Sequence, residues 1–561
     1  MMKRWLVVLL LAPLTTAAAG EFKVVETSIA DMQQAMAKGS LTSRELVQQY
    51  LARIAFYDKK LNAVITVNPN ALREAEERDR ERAQGKLRGP LHGIPIAVKD
   101  NIHTTDMPTT GGALAFEGFV PPYEATVVKN LREAGAVIIA KTGMTELANW
   151  MAGPPTPMPA GYNPISGFGM NPYDPRRDPR DGSFDGRPVL LPGGSSSGIG
   201  TAANFWAANV GTETSGSLLN PANMSMLVAI KPTVGRISRH GIIPLTADQD
   251  TAGPMARTVA DAAILLGALE DAQPDPQDPV KACVPPPERD YTRFLDRDAL
   301  AGARIGIPRA FYYERLIPPG LQQPRGGLNA AQAKAMADAI AVLKERGAVI
   351  VDPADIPSVV DEDASRNFLR WEVCRGTDGP KGADAGCSVV FKYGMKRDFN
   401  KWLASLGPAA PVKSLTELRH WNLAHAKAGA LKYGQSQLDI SDEMDIEADR
   451  ARYQLDRAKD IALSGAYGID AIMQAERLDA ILFPGGSGAI LSARPGYPTV
   501  IVPFAMVANA PTPPLTAGFD AKPSPFGVSF AGSACSEPRL IALAYAFEQA
   551  TKRRVPPPAA P

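Results

Sequence analysis

Histidine is scarce in this chain: His92, His103, His240, His420 and His425 are the only five in 561 residues. That supply leaves little for hydrolases built on an imidazole base or on a metal held by imidazoles. His420 and His425 are five positions apart, so on a helix they diverge by roughly 140° and share no ligand face. No H-E-x-x-H occurs, and both read as surface residues of a polar, helical stretch. Cysteine is rarer still, and Cys283, Cys374, Cys387 and Cys535 match no zinc spacing. An excess of either charge is missing too: 60 basic residues face 59 acidic ones, a formal net charge of +1. Nothing electrostatic therefore argues for nucleic acid or an acidic membrane as partner. Beyond the first twenty residues no apolar run is long enough for a membrane helix. Internal repeats, a phosphate-binding Walker loop and a dinucleotide fingerprint are likewise lacking, so neither cofactor nor metal is expected.

What the chain does have begins with its first residues. Lys3 and Arg4 precede the apolar stretch Trp5–Ala12, and Ala17-Ala18-Ala19 closes it. This is the pattern of a secretory signal cleaved after Ala19, and no cysteine follows the cut to carry a lipid. A periplasmic or secreted protein is expected. Export bears on the cysteines, because an oxidising compartment permits disulfides. Cys374 and Cys387 bracket a short Gly-rich loop and are the first pair to expect, although four cysteines allow three connectivities.

The periodicities are those of an α/β protein with a large mixed sheet covered by helices on both faces. Thr42-Ser43-Arg44-Glu45 has the form of a capping box, and Ala71–Gln84 reads as an exposed helix. Ile94–Val98 and Ala136–Ala140 are short apolar runs of the buried-strand type, with a helix over Glu124–Ala134 between them. Helices are expected over 200–209, 258–269, 329–346, around 441–463 and over 537–551. Further strands are expected at 227–230, 348–351, 480–483 and 499–502. The chain divides into a core of about 86–270, a helical region of about 271–480 that shapes the cleft, and a return to the core at 481–551. Residues 552–561 are Pro-rich, and the tail from Val555 is expected to be disordered. The Arg- and Asp-rich stretch 174–191 has the look of an insertion, most simply a solvated loop, otherwise part of a cleft rim.

Two small-residue segments each run to a hydroxyl: Gly193-Gly194-Ser195-Ser196-Ser197-Gly198 and Gly211-Thr212-Glu213-Thr214-Ser215-Gly216-Ser217. The first contains G-x-S-x-G around Ser196, the form of a nucleophile elbow. An elbow needs a buried strand before it, and prolines bracket Arg187–Pro192; it also needs a partner histidine. Lys99 offers different chemistry. It closes the apolar run Gly93–Lys99, and a lysine stripped of water there loses its proton near neutral pH and becomes a base. Serine needs such a partner to act as a nucleophile.

The run Gly89-Pro-Leu-His-Gly-Ile-Pro-Ile-Ala-Val-Lys99-Asp-Asn, with Ala140–Ala148 and Pro192–Gly198, resembles the amidase signature family. Gly211–Ala222, Ile230–Gly235 and Gln249–Asp261 continue the likeness, which spans most of 26–270 and returns at 480–551. The resemblance implies that family's fold and a Ser-Ser-Lys site: Ser217 as nucleophile, Ser195 as the bridging serine held through a cis peptide, and Lys99 as base. Backbone N–H groups of Thr214, Ser215 and Gly216 would form the oxyanion hole. Asn220 stands where some members carry a cation for a substrate carboxylate, which disfavours an acidic acyl group. With the signal, Gly211–Thr214 and Gly241–Leu245 resemble the exported peptide amidases most, implying release of ammonia from C-terminal peptide amides. A general acyl- or aryl-amidase is the alternative within the class, and a non-catalytic periplasmic amide- or solute-binding protein the alternative outside it. Members acting on charged transfer RNA fit an exported, near-neutral chain poorly. Substrate-binding residues and oligomeric state are not legible.

Overall fold

A computed structural model of the chain describes residues 22–180, 185–194, 197–280 and 282–561. The signal expected over 1–19 lies outside them, as do Ser195 and Ser196. Among the described residues, eleven strands make one mixed sheet. In chain order they are β1 (Val64–Val67), β2 (Pro95–Lys99), β3 (Val137–Thr142), β4 (Ala208–Glu213), β5 (Val228–Lys231) and β6 (Thr251–Ala256). Then come β7 (Arg304–Gly306), β8 (Val349–Val351), β9 (Ala480–Pro484), β10 (Thr499–Val507) and β11 (Ser524–Ala531). The spatial order is β1-β3-β2-β4-β6-β5-β10-β11-β9-β7-β8. The β3-β2-β4 and β9-β7-β8 neighbours are parallel, and the remaining pairs antiparallel.

Side-chain alternation shows that both faces are covered. Val228, Ile230, Ala252, Ala256, Val500 and Val502 point into the main core with Leu265, Leu266, Leu540 and Phe547. The intervening Ala229, Met255 and Ile501 point the other way, onto Leu218, Leu219 and Ala222. The helices that matter here are α1 (Ser43–Leu61), α2 (Ala71–Ala83), α3 (Thr126–Glu133), α4 (Leu219–Asn223), α5 (Val259–Leu269), α6 (Val390–Ser405), α7 (Ala489–Ala493) and α8 (Glu537–Thr551). The capping box expected at Thr42 forms: its side chain accepts from Glu45 N, and Glu45 caps the Thr42 N–H in return. Helix α2 has the charged character expected from its composition, but most of its residues are half-buried, and Ala71 and Ala75 are fully buried.

Three further expectations are corrected. The small-residue run 200–209 is helical only over Ile199–Ala202; Asn204 takes φ +56°, and Ala208 opens β4. Gly200 is small because the Trp206 ring sits where a Cβ would be, 2.2 Å away. The helix expected around 441–463 is split, running over Ser436–Asp442 and Arg450–Ile461, with a wider π-type turn over Ala462–Ile469. The proline-rich tail is packed, not disordered: Ala559 and Ala560 are buried. Arg53 of α1 donates to the Ala560 carbonyl (2.9 Å), and the Tyr173 hydroxyl donates to that of Val555 (2.5 Å). Backbone carbonyls of a proline-rich segment remain good acceptors, and here guanidinium and phenol groups use them.

Both pairs of cysteines are joined, Cys374 to Cys387 across the short loop and Cys283 to Cys535.

Candidate active site

Lys99 ends β2, which runs parallel to β4 with Val98 level with Val210. The register brings the lysine beside Thr212. Its side chain is fully buried, and its Nζ donates to the Thr212 hydroxyl (2.8 Å) and carbonyl (3.2 Å). Asn101 Nδ2 donates to the same hydroxyl (3.0 Å). Burial, with no contacting carboxylate among the described residues, disfavours the ammonium, and the Lys99 pKa falls to about 7 against attraction from Asp250 and Glu213.

Past Glu213 the chain leaves β4 through Thr214-Ser215-Gly216-Ser217 and enters α4. Gly216 takes φ +100°, and a Cβ on it would lie 2.6 Å from Asn220 Nδ2, so only glycine permits this turn. The turn is braced from several sides. The Glu213 carboxylate accepts the N–H groups of Leu218 (2.7 Å) and Leu219 (3.0 Å), donors that α4 leaves unpaired at its start. Gln249 Nε2 donates to the Thr214 carbonyl (3.1 Å), and the Thr214 hydroxyl donates to Asp250. Asp250 also accepts the Leu245 N–H (2.8 Å) and is buried, which raises its carboxyl to about 7. Gly193-Gly194 comes against the same turn. A Cβ on Gly194, at φ +38°, would stand 3.0 Å from Ser217 Cα. The Thr145 hydroxyl donates to the Gly194 carbonyl (2.8 Å). The next residue, Ser195, lies outside the described residues, as does Ser196.

Thr214, Ser215, Gly216, Ser217 and Asn220 line a cavity of about 630 Å³. Its walls carry the aromatic side chains of Trp150, Phe311, Tyr312, Phe368, Trp371 and Phe391, with Leu245 and with Ile490 and Leu491 of α7, and the charged Arg325, Glu372, Arg375 and Arg494 also line it. Trp371 is clamped. Its indole N–H donates to Asp460 (2.9 Å), its carbonyl accepts from Arg494 Nη2 (2.5 Å), and Lys459 Nζ lies 3.9 Å above the ring. The adjoining Glu372 and Val373 pair with Cys387 and Ser388, a contact locked by the Cys374–Cys387 disulfide. Among the described residues no histidine lines this cavity. His420 and His425 are exposed, as their setting predicts. None of the described residues of 174–191 lines the cavity. They do not form a freely solvated loop either: Asp174 and Asp178 are buried against Arg176 and Arg180, and Arg176 Nη2 reaches the Asp520 carbonyl (2.7 Å).

Sequence reasoning singled out Lys99, Ser217 and the turn; the structure holds Lys99 on Thr212 of the strand that leads into the turn, and Ser217 lines the cavity. That reasoning missed Thr212 and Asn101, which hold the amine, and the braces Glu213, Gln249 and Asp250. A signal was present for the braces: acids and amides within apolar strand-and-turn sequence must find partners when buried. The wall residues 311–375 carried none, because aromatic side chains in irregular chain read the same whether they fill a core or face a cleft.

The Amidase family profile matches residues 45–541. A probable amidase of Arabidopsis thaliana is 33% identical over 544 residues, 96% of this chain and 92% of its own length. A glutamyl-tRNA(Gln) amidotransferase polypeptide of Synechococcus is 30% identical over 536 residues, covering 93% and 96%. The crystal structure of a native peptide amidase from Stenotrophomonas maltophilia superimposes with a TM-score of 0.78 at 36% identity, over 95% of this chain and 98% of that one.

Proposed function

The chain belongs to the amidase family, and from that premise we propose that it is a serine amidohydrolase working through a Ser217–Ser195–Lys99 relay. The observation that carries the reading is a fully buried lysine ending the strand beside the one that leads to Ser217, with no contacting carboxylate among the described residues. In this reading neutral Lys99 accepts a proton from the Ser195 hydroxyl, which accepts one from Ser217 as Ser217 Oγ attacks the carboxamide carbon. The C–N bond then breaks, the relay returns the proton to the leaving nitrogen, and ammonia departs from an acyl-enzyme. Water, deprotonated by the same relay, attacks the ester and releases the carboxylate and free Ser217. N–H groups of Thr214, Ser215 and Gly216 would stabilise the tetrahedral oxyanion, an effect of about 10²–10³ in rate for one donor.

The substrate we favour is a C-terminal peptide amide. An aromatic-walled cavity beginning at Ser217 suits a peptidyl acyl group, and Asn220 presents a neutral side chain beside the turn. The likeness to a peptide amidase supports the same choice. Aryl- and acyl-amides make the same demands on the turn and fewer on the walls. We also propose export with cleavage after Ala19; two disulfides in one chain support an oxidising compartment.

Release of ammonia from a dipeptide amide and from a simple aliphatic amide, and of aniline from an anilide, tests the whole reading. The dipeptide amide should lead, and Ser217→Ala and Lys99→Ala should both abolish turnover while His420→Ala and His425→Ala do not. Turnover surviving Ser217→Ala overturns the mechanism. An anilide preferred over the dipeptide amide overturns the substrate choice. No turnover and no phosphonate labelling of Ser217 would leave a binding protein.

A further inference from the structure

Asp250 stands outside the relay, yet it is hydrogen-bonded to the turn that leads to Ser217. It lies in the segment leading into β6, pinned there by its own N–H donating to the Thr246 carbonyl (2.9 Å). Its carboxylate takes the Thr214 hydroxyl on one oxygen and the Leu245 N–H on the other. Thr212, in β4, takes the Lys99 amine, and Thr214, the first residue past the end of β4, takes Asp250.

We propose that Asp250 is a positioning residue for the acyl-transfer turn: it fixes Thr214 through the hydroxyl while its other oxygen is held by the Leu245 N–H. The inference rests on the Ser217–Lys99 reading above. Three residues divide the bracing between them. Glu213 holds the far end of the turn at Leu218 and Leu219, Gln249 holds the Thr214 carbonyl, and Asp250 holds the Thr214 side chain. With carbonyl and side chain both fixed, the N–H groups that follow Thr214 have little freedom to turn away from the oxyanion.

Two variants test it. Thr214→Val deletes the hydrogen bond to Asp250, and Thr214→Ser keeps the hydroxyl that makes it. With a dipeptide amide, Thr214→Val should lower kcat about tenfold or more with KM within about twofold, because the loss falls on the transition state. Thr214→Ser should keep kcat within about twofold of wild type, a rescue that a merely structural role of the side chain would not give. Unchanged kcat in Thr214→Val, or a loss in Thr214→Ser as large as in Thr214→Val, overturns the inference. If Thr214→Val does not accumulate folded, Thr214→Ala takes its place. Ser217→Ala, run alongside, separates the failures. If it retains turnover, the acyl-enzyme reading has fallen; if it is inactive while the other two match wild type, only the role of Asp250 has.

Discussion

The burial of Lys99 makes a quantitative demand on the pH dependence of the reaction. Its amine ordinarily titrates at 10.5 and here at about 7. At 1.36 kcal/mol per unit, the fold disfavours the ammonium by about 5 kcal/mol. The sign follows from the lone pair: only neutral lysine accepts a proton, so activity is gained as pH rises through about 7 and lost below it. The neutral fraction falls tenfold per unit, so kcat/KM at about pH 5 should be about one hundredth of its plateau above about pH 8. Lys99→Met fills the same space without the amine. It should lose about 10²–10⁴ in kcat/KM, and its residual rate should no longer depend on pH in this range. The assay is initial ammonia release from a dipeptide amide across the range, with near-ultraviolet circular dichroism at each pH to separate titration from unfolding. A flat profile between about pH 5 and 8, or a limb that persists in Lys99→Met, would refute the assignment of the base.

Other consequences can be checked on the same material. Gly216→Ala places a Cβ 2.6 Å from Asn220 Nδ2 at φ +100°; at least a hundredfold loss of kcat should follow, on the scale of about 10²–10³ for one lost oxyanion donor, with stability lowered by about 1–2 kcal/mol from the left-handed strain. Glu213→Ala leaves two buried N–H groups unpaired, a cost of roughly 2–4 kcal/mol in denaturant unfolding. Asp460→Asn weakens the clamp on Trp371, so KM for a peptide amide should rise several-fold while turnover of a small aliphatic amide is unchanged. Of the disulfides, Cys283–Cys535 spans 252 residues and Cys374–Cys387 spans 13. Chain-entropy arguments give about 5.5 and about 3 kcal/mol, so serine pairs at the first should lower the unfolding midpoint more, and those at the second should raise KM.

Lys99, Ser217 and the turn were singled out through the likeness to a family motif, since a lysine closing an apolar strand is by itself as readily solvated as buried; Gly216 and Gly194 stand at positive-φ positions that only glycine fills easily. The strands and the capping box were legible from period and spacing. The run 200–209 was not: its small residues suit a helix by propensity, but Trp206 and the pairing of Ala208 with Ile96 decide otherwise. The tail misled for a related reason, since proline and alanine signal little core, and the partners that order it lie in α1 and at Tyr173. The aromatic wall was invisible because it is assembled from segments far apart in the chain, and only the fold says that they meet.

The strand order carries a consequence for how the molecule is made. β5 is flanked by β6 on one side and by β10 on the other, with Ile230 level with Val500. During synthesis the first half of the sheet emerges with β5 as a raw edge, and it stays so until Thr499–Val507 has been translated. Pairings this distant in sequence form slowly and leave sticky intermediates. Truncated forms ending before Thr499 should therefore aggregate, not behave as a smaller folded unit.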